Sequence, residues 1–306
     1  MISVTADPGL SERAWSECPL CASTRCRTEY DFSASTSSGA VPGYIVACLD
    51  CGLQYKIPSF PEIPLSHYYA DQSTYLHRDD PHEADKEFER ILQQVGPPPR
   101  SGARLLDVGS GPGRFLGAAM RAGFIATGVE LNPALAQSAN VRYDAEVLAG
   151  DAQALPELLA GREETFDVVT LLDLIEHVRD PVTLLREAAN FLAPGGVMLV
   201  YTPNHQGLIV RTAVAIRALS LGWLEGPLRG IYDCDHIVFF TPDSLCAAVC
   251  RAGLSPGRMT RVRFNPYRRG IARGATAQAL RAIESVSPWL GGEFRMMLRV
   301  HRAAQD

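Results

Sequence analysis

What the 306-residue sequence lacks narrows the choice before any motif is read. Positive charge is not in excess: 34 acidic residues face 29 lysines and arginines, leaving a net charge of −5. A nucleic-acid backbone would find no global field to hold it, so that partner is disfavoured, and the cluster Arg268, Arg269 and Arg273 reads as a solvated surface. The opening MISVTADPGLSERAWSE has no basic stretch followed by an apolar core, so it is not a secretory signal. The strongest apolar run, GLIVRTAVAIRALSLGW, is interrupted by Arg211 and Arg217 and is too short to cross a bilayer. The expected location is therefore cytoplasmic, with no membrane partner. Internal repeats and low-complexity tracts are also missing.

Among eight cysteines, four form two CxxC pairs: Cys18 with Cys21, and Cys48 with Cys51. Each pair turns two thiolates toward one point, and two such knuckles supply the four-sulfur shell that a structural zinc prefers. The segment 22–47 between them is longer than the usual ribbon spacing but has room for a hairpin. Gly52 suits the left-handed turn after the second knuckle, whereas Ala22 departs from that pattern after the first. Disulfides are the weaker reading in a cytosolic chain.

Prolines in IPSFPEIPL mark a connector, Phe88, Ile91 and Leu92 give helical periodicity, and GPPPRSG marks a boundary. From Ala103 onward, the apolar runs ARLLDVG, FIATGVE, AEVLAGD, FDVVTLLD and GVMLVYTP alternate with amphipathic segments. Helix starts stand at Asn132-Pro133, Asp180-Pro181 and Thr241-Pro242, and stops at Gly123 and Gly253. Two more strands follow in RMTRVRF and EFRMMLRVHR. This alternation predicts an α/β fold with a mostly parallel, doubly wound sheet.

Ligands of such sheets bind beyond the carboxyl ends of the strands. The first strand runs into DVGSGPGRFL, where glycines let the backbone approach a ligand and a helix N-terminus follows. A dinucleotide fingerprint would place glycine at 114, and this chain has Arg114. Glu130 closes the second strand, where an acid can accept both hydroxyls of a ribose, and Asp151 with Ala152 follows the third.

The ordered set DVGSGPGRFL, GVELNP, GDAQALP, FDVVTLLDLIEHV and LAPGGVMLV resembles class I S-adenosylmethionine-dependent methyltransferases over residues 103 to about 260. The resemblance implies a Rossmann-like seven-stranded sheet and a cofactor site built from Asp107, Gly109, Ser110, Gly111, Gly113, Glu130, Leu131, Asp151, Ala152, Leu172 and Asp173. With CPLC, VACLDCGLQYKIP and SHYYADQSTY ahead of that core, the chain is similar to zinc-ribbon methyltransferases of natural-product and surface-glycan pathways. In that group the connector would bring Tyr68, Tyr69 and Tyr75 to the substrate pocket.

LLDLIEHVRDP places Asp173, Glu176 and His177 at one strand end, and His236 follows in DCDHIVFFT. That pairing is similar to ubiquinone-pathway and small-RNA terminal 2′-O-methyltransferases, in which Glu-x-x-Glu-His and a later His hold Mg²⁺. Asp173 stands where those families have Glu. Three readings stay open for Asp173, Glu176, His177 and His236: a divalent metal site, an acceptor-side base, or a structural strand end.

The organisation read from the sequence is a zinc-ribbon module at 1–60, a connector with a helix at 61–100, and a methyltransferase domain at 101–306 with a helical cap at 205–233. The cap should bury Ile209, Ala213, Ile216 and Leu219 against the core. The expected reaction is methyl transfer to a small-molecule acceptor, most simply a hydroxyl, with His177, His236 and Asp173 as catalytic candidates. Sugar C- or N-methylation, ribosomal-RNA guanine methylation and a non-catalytic cofactor-binding scaffold are the alternatives.

Overall fold

A computed structural model describes residues 17–31, 44–57, 81–224, 226–232, 236–262, 274–290 and 293–302. Tyr68, Tyr69 and Tyr75 lie outside the described residues.

The main sheet has seven strands in the order β10-β11-β8-β7-β4-β5-β6. In chain order these are β4 (Arg104–Val108), β5 (Ile125–Glu130), β6 (Glu146–Ala149), β7 (Phe166–Leu172), β8 (Leu192–Pro203), β10 (Leu254–Val262) and β11 (Arg295–Arg302). The first five run parallel, and β11 pairs antiparallel with both β8 and β10. β4 and β7 are buried almost throughout because helices cover both faces of a parallel sheet, which is why they read as continuous apolar runs.

Helices α1 (Pro81–Val95), α2 (Arg114–Arg121), α3 (Pro133–Tyr143), α4 (Leu155–Leu158) and α5 (Pro181–Asn190) follow in sequence. Phe88, Ile91 and Val95 of α1 pack with Phe115 and Leu116 of α2, the two phenyl rings 5.7 Å apart. The expected starts are realised in chemistry as well as position. The side chain of Asn132 accepts from the Ala134 and Leu135 amides, and that of Asp180 from the Thr183 amide.

The cap consists of α6 (Leu208–Leu219) and α7 (Gly226–Tyr232), and Thr241 opens α8 (Pro242–Arg251) with a reciprocal capping box to Ser244. The expected apolar face holds for only half of α6. Ile209 and Ala213 are buried and Ile216 is half-buried, but Leu219 is 87% exposed because the last turn runs past the surface it would cover. α9 (Gly274–Val286) precedes β11.

A second, antiparallel sheet joins β1 (Cys26–Asp31), β2 (Tyr44–Cys48) and β3 (Gln54–Ile57) to β9 (Val238–Phe239). Its fourth strand thus comes from just beyond the cap, pairing Gln54 with Phe239 and Tyr55 with Val238. Leu20, Val46, Leu53 and Tyr55 share one core cluster with Ile237, Val238 and Phe240, so the cysteine-bearing sheet is packed onto the main body. Among the described residues, no helix is long and apolar enough to cross a membrane.

Candidate active site

Five loops leave the carboxyl ends of the parallel strands, and the pairing of those strands sets their loops side by side. Asp107 of β4 lies level with Gly128 of β5 and Thr170 of β7, and Glu130 is level with Ala149 of β6. The glycine loop after β4 is held down by the Gly109 and Ser110 amides, which both donate to the Val129 carbonyl. Gly113 is required twice over. Its φ of 76° is left-handed, and a Cβ there would lie 2.6 Å from the Cβ of Ala139. Gly111, at φ 54°, faces open space: a Cβ would meet nothing within 4 Å.

Glu130 is buried, and its two oxygens accept from the Gly111 amide (2.8 Å) and the Asn132 amide (2.9 Å). It therefore ties the glycine loop to the end of β5. Burial pushes its carboxyl above the usual range, against the lowering effect of those amide donors. Asp107 is also buried and accepts from the Thr170 hydroxyl at 2.6 Å. Burial raises it from 3.8 to about 7, outweighing the Thr170 bond, with the Glu130 charge adding to the rise. Asp151 is exposed and caps the turn Ala152–Ala154 by accepting from the Gln153 amide, while Ala152 is buried and Leu131 and Leu172 are half-buried.

Asp107 has a direct consequence for stability. In the fold its carboxyl keeps a proton that the unfolded chain has already lost above pH 3.8, so the folded state binds more protons across that window. Stability contributed by this group is present at low pH and is lost as pH rises from about 4 through about 7, on the order of 4 kcal/mol in all. Asp107→Asn should flatten that part of the unfolding profile measured by denaturant titration at stepped pH. An unchanged slope would remove Asp107 as its source.

The second group of side chains stands at the end of β7. A short turn, Ile175–His177, follows Asp173, and the Ile237 amide just before β9 donates to the Glu176 carbonyl. This bond brings His236 over the turn. One ligand atom from each of Glu176, His177 and His236 lies within 4.8 Å of the others. The two imidazole rings meet edge to face at 4.7 Å, and His236 Nε2 is 4.0 Å from Glu176 Oε1. Glu176 is 1% exposed. Its Oε2 accepts from the Thr202 hydroxyl at 2.8 Å, while its buried Oε1 accepts no hydrogen bond. Burial and the Asp173 charge push this carboxyl upward. An unpartnered buried oxygen beside two imidazoles fits either a bound cation or a proton shared across the group.

Asp173 stands outside that cluster of ligand atoms. Its backbone takes a left-handed φ of 52°, and its carboxylate pairs with Arg295 at the start of β11. Arg295 is buried, and its guanidinium lies over the Tyr201 ring at 5.3 Å. Nothing local in EFRMMLRVHR marks Arg295 as the partner of a residue more than a hundred positions earlier.

At the other sheet, the sulfurs of Cys18 and Cys51 are 3.5 Å apart, as are those of Cys21 and Cys48, and all four lie within 4.8 Å of one another. Four sulfurs on a tetrahedral zinc at about 2.3 Å would sit roughly 3.8 Å apart. The Leu20 amide points at Cys18 Sγ (3.4 Å), and both knuckle turns are left-handed, at Ala22 (φ 56°) as well as Gly52 (φ 73°). The arrangement is compatible with a zinc ribbon.

The family profile described as methyltransferase domain matches residues 77–256, more than half of the chain. The protein belongs to the class I S-adenosylmethionine-dependent methyltransferases. Among its relatives are proteins named ubiquinone biosynthesis O-methyltransferase. That of Cereibacter sphaeroides is 33% identical over 59% of this chain and 70% of its own length, and that of Xylella fastidiosa is 33% identical over 56% and 68%. A solved S-adenosylmethionine-dependent methyltransferase from Archaeoglobus fulgidus superposes with a TM-score of 0.52 at 15% identity, over 77% of this chain and all of that one, which shows the shared fold. In this methyltransferase the glycine loop, Glu130 and Asp107 offer what the cofactor requires of a site: an open backbone cradle beside buried acids.

Proposed function

We propose that this methyltransferase moves the methyl group of S-adenosylmethionine to a hydroxyl of a small-molecule acceptor, at the end of β7. The observation that carries this reading is the group of buried Glu176 with half-buried His177 and His236, in which one carboxylate oxygen accepts no hydrogen bond, at a turn whose Leu174 packs against Gly109 of the glycine loop. The cofactor supplies the electrophile, so the protein has to orient the hydroxyl and accept its proton. An imidazole of His177 or His236, with Glu176 behind it, is suited to that work. The relatives' names agree with oxygen as the accepting atom. Membership of a natural-product or surface-glycan pathway rests only on the likeness of the ribbon-bearing N-terminus. Asp107 and the glycines would hold the cofactor's methionine end, Glu130 its ribose, and Asp151 with Ala152 its adenine.

Release of S-adenosylhomocysteine, followed with a panel of phenols, alcohols and amines, tests the reading. Phenols or alcohols should turn over. His177→Ala or His236→Ala should lower kcat about a hundredfold, with the dissociation constant for S-adenosylmethionine unchanged. Turnover of amines alone would overturn the oxygen assignment, and failure to bind S-adenosylmethionine would overturn the whole reading.

The unpartnered Glu176 oxygen also favours a second reading, a divalent cation held by Glu176, His177 and His236. One carboxylate and two imidazoles suit Mn²⁺, Fe²⁺ or Zn²⁺ better than the Mg²⁺ suggested by the family likeness. Activity that survives chelation, with the ribbon metal shown to stay bound, would exclude it.

For the four cysteines we infer a structural zinc, because four thiolates leave no open position for a substrate. Purified protein should contain about one tightly held zinc per chain. Cys48→Ser should lose that zinc together with the resistance of the N-terminal sheet to limited proteolysis. A metal-free chain with that sheet intact would refute the assignment.

A further inference from the structure

A cavity of about 480 Å³ lies where the cysteine-bearing sheet, the cap and the end of β8 meet. Its volume is in the range of small-molecule sites. Its walls include Tyr30 of β1, Gln54 of β3, His205 after β8, Arg211 of α6, Tyr232 of α7 and Arg261 of β10. Among the described residues, no acidic side chain lines it. Tyr232 donates to Gln54 Oε1 at 2.8 Å, which pins the cap to the smaller sheet across the cavity.

Three features of the wall lack a partner. Arg211 and Arg261 are exposed, and among the described residues neither side chain is engaged in an ion pair or hydrogen bond. His205 is 7% exposed, and its Nδ1 has no hydrogen-bond partner. Its ring is fixed nonetheless, by an edge contact with Phe239 at 4.8 Å and by its backbone amide on the Phe240 carbonyl. Burial, with the charge of Arg295, holds its pKa down to about 3, so the ring is neutral near pH 7 and keeps one donor and one acceptor nitrogen. The N-terminus of α6 adds to the positive character: its cap residue is Gly207, which offers no side-chain acceptor, and a Cβ there would lie 2.9 Å from Phe294 Cα.

One aromatic ring separates the cavity wall from the proposed site of transfer. The Phe239 ring that braces His205 lies 6.5 Å from the ring of His236. We propose that this cavity binds the oxyanion of a phosphate- or carboxylate-bearing methyl acceptor, with Arg211 and Arg261 on the anion and His205 on a polar group of the acceptor's body. The proposal rests on the methyl-transfer reading only in taking the ligand to be the acceptor. Two arginines on a wall with no carboxylate among the described residues match an oxyanion in charge, and each guanidinium offers the planar fork that an oxyanion accepts.

Calorimetric titration of the full chain, saturated with S-adenosylmethionine so that the cofactor site cannot take the probe, is the test. Inorganic pyrophosphate and succinate serve as the phosphate and carboxylate arms. At least one should bind at millimolar concentration, and the tighter one names the acceptor's anion. Its dissociation constant should rise at least tenfold in Arg211→Ala and in Arg261→Ala, and should also rise in His205→Phe, which keeps the ring packing. The affinity for S-adenosylmethionine should not change in any of the three. Absence of binding by both anions in the wild type, or equal binding in both arginine variants, would overturn the proposal. A chain that fails to bind S-adenosylmethionine would instead strike the methyl-transfer reading, and the anion titration run without cofactor would still score the cavity.

Discussion

Glu130→Ala is expected to weaken S-adenosylmethionine binding about a hundredfold, as measured by calorimetric titration. The carboxylate does two things at once in the reading developed above. It meets the Gly111 and Asn132 amides, and it presents an acid at the end of β5 where a ribose would lie. Hydrogen bonds to a charged group contribute roughly 1.5–3 kcal/mol each, so loss of the ribose contact together with loosening of the glycine loop accounts for the expected size. Glu130→Gln keeps the acceptor oxygen and the shape, and should fall between alanine and the wild type. If Glu130→Ala bound the cofactor normally while melting at a lower temperature, Glu130 would be a buttress of the loop and nothing more.

Asp173→Ala is expected to cost about 3–5 kcal/mol of stability, because it strands the buried Arg295 without its counter-charge. For a chain of this size that corresponds to a drop in Tm of roughly 10 °C. Arg295→Met alone should also destabilise. The double variant Asp173→Ala with Arg295→Met should regain most of the loss, since it removes both charges and leaves an apolar stem near Tyr201. The pair also separates two roles for Asp173. Recovery of both stability and methyl transfer in the double variant would make it a structural partner of Arg295. Recovery of stability alone would place it at the reacting atoms.

The parts of this protein that could be read in advance are those governed by local rules. Asn132 before Pro133, Asp180 before Pro181 and Thr241 before Pro242 cap the helices they announce, because a cap depends on only the next few residues. The placement of the glycine loop, Glu130 and Asp151 at the carboxyl edge of the sheet is legible for a related reason: a parallel strand's end puts whatever follows it there. The pairing of EH at 176–177 with His236 came from a family likeness, and the structure does bring the three side chains together. What was hidden is what tertiary contact decides. Arg295 reads as an interruption in an apolar strand until β11 is laid against β8. Leu219 follows the period of a buried stripe, yet the helix outruns its support. His205 looked like the first residue of a cap, and neither its burial nor the two arginines around it leave a trace in spacing.

The two-residue strand β9 also orders events during synthesis. All four clustered cysteines have been made by residue 51, so under the zinc assignment proposed above a metal could be captured while most of the chain is still to come. The sheet built around them nevertheless keeps a bare edge on β3 until Val238 and Phe239 arrive. Closure across so long a loop is late and slow compared with the hairpins that precede it. A nascent chain would thus carry a half-finished small sheet waiting for the main one, and the final docking of β9 would complete the small sheet and set Ile237 against Glu176 in a single step.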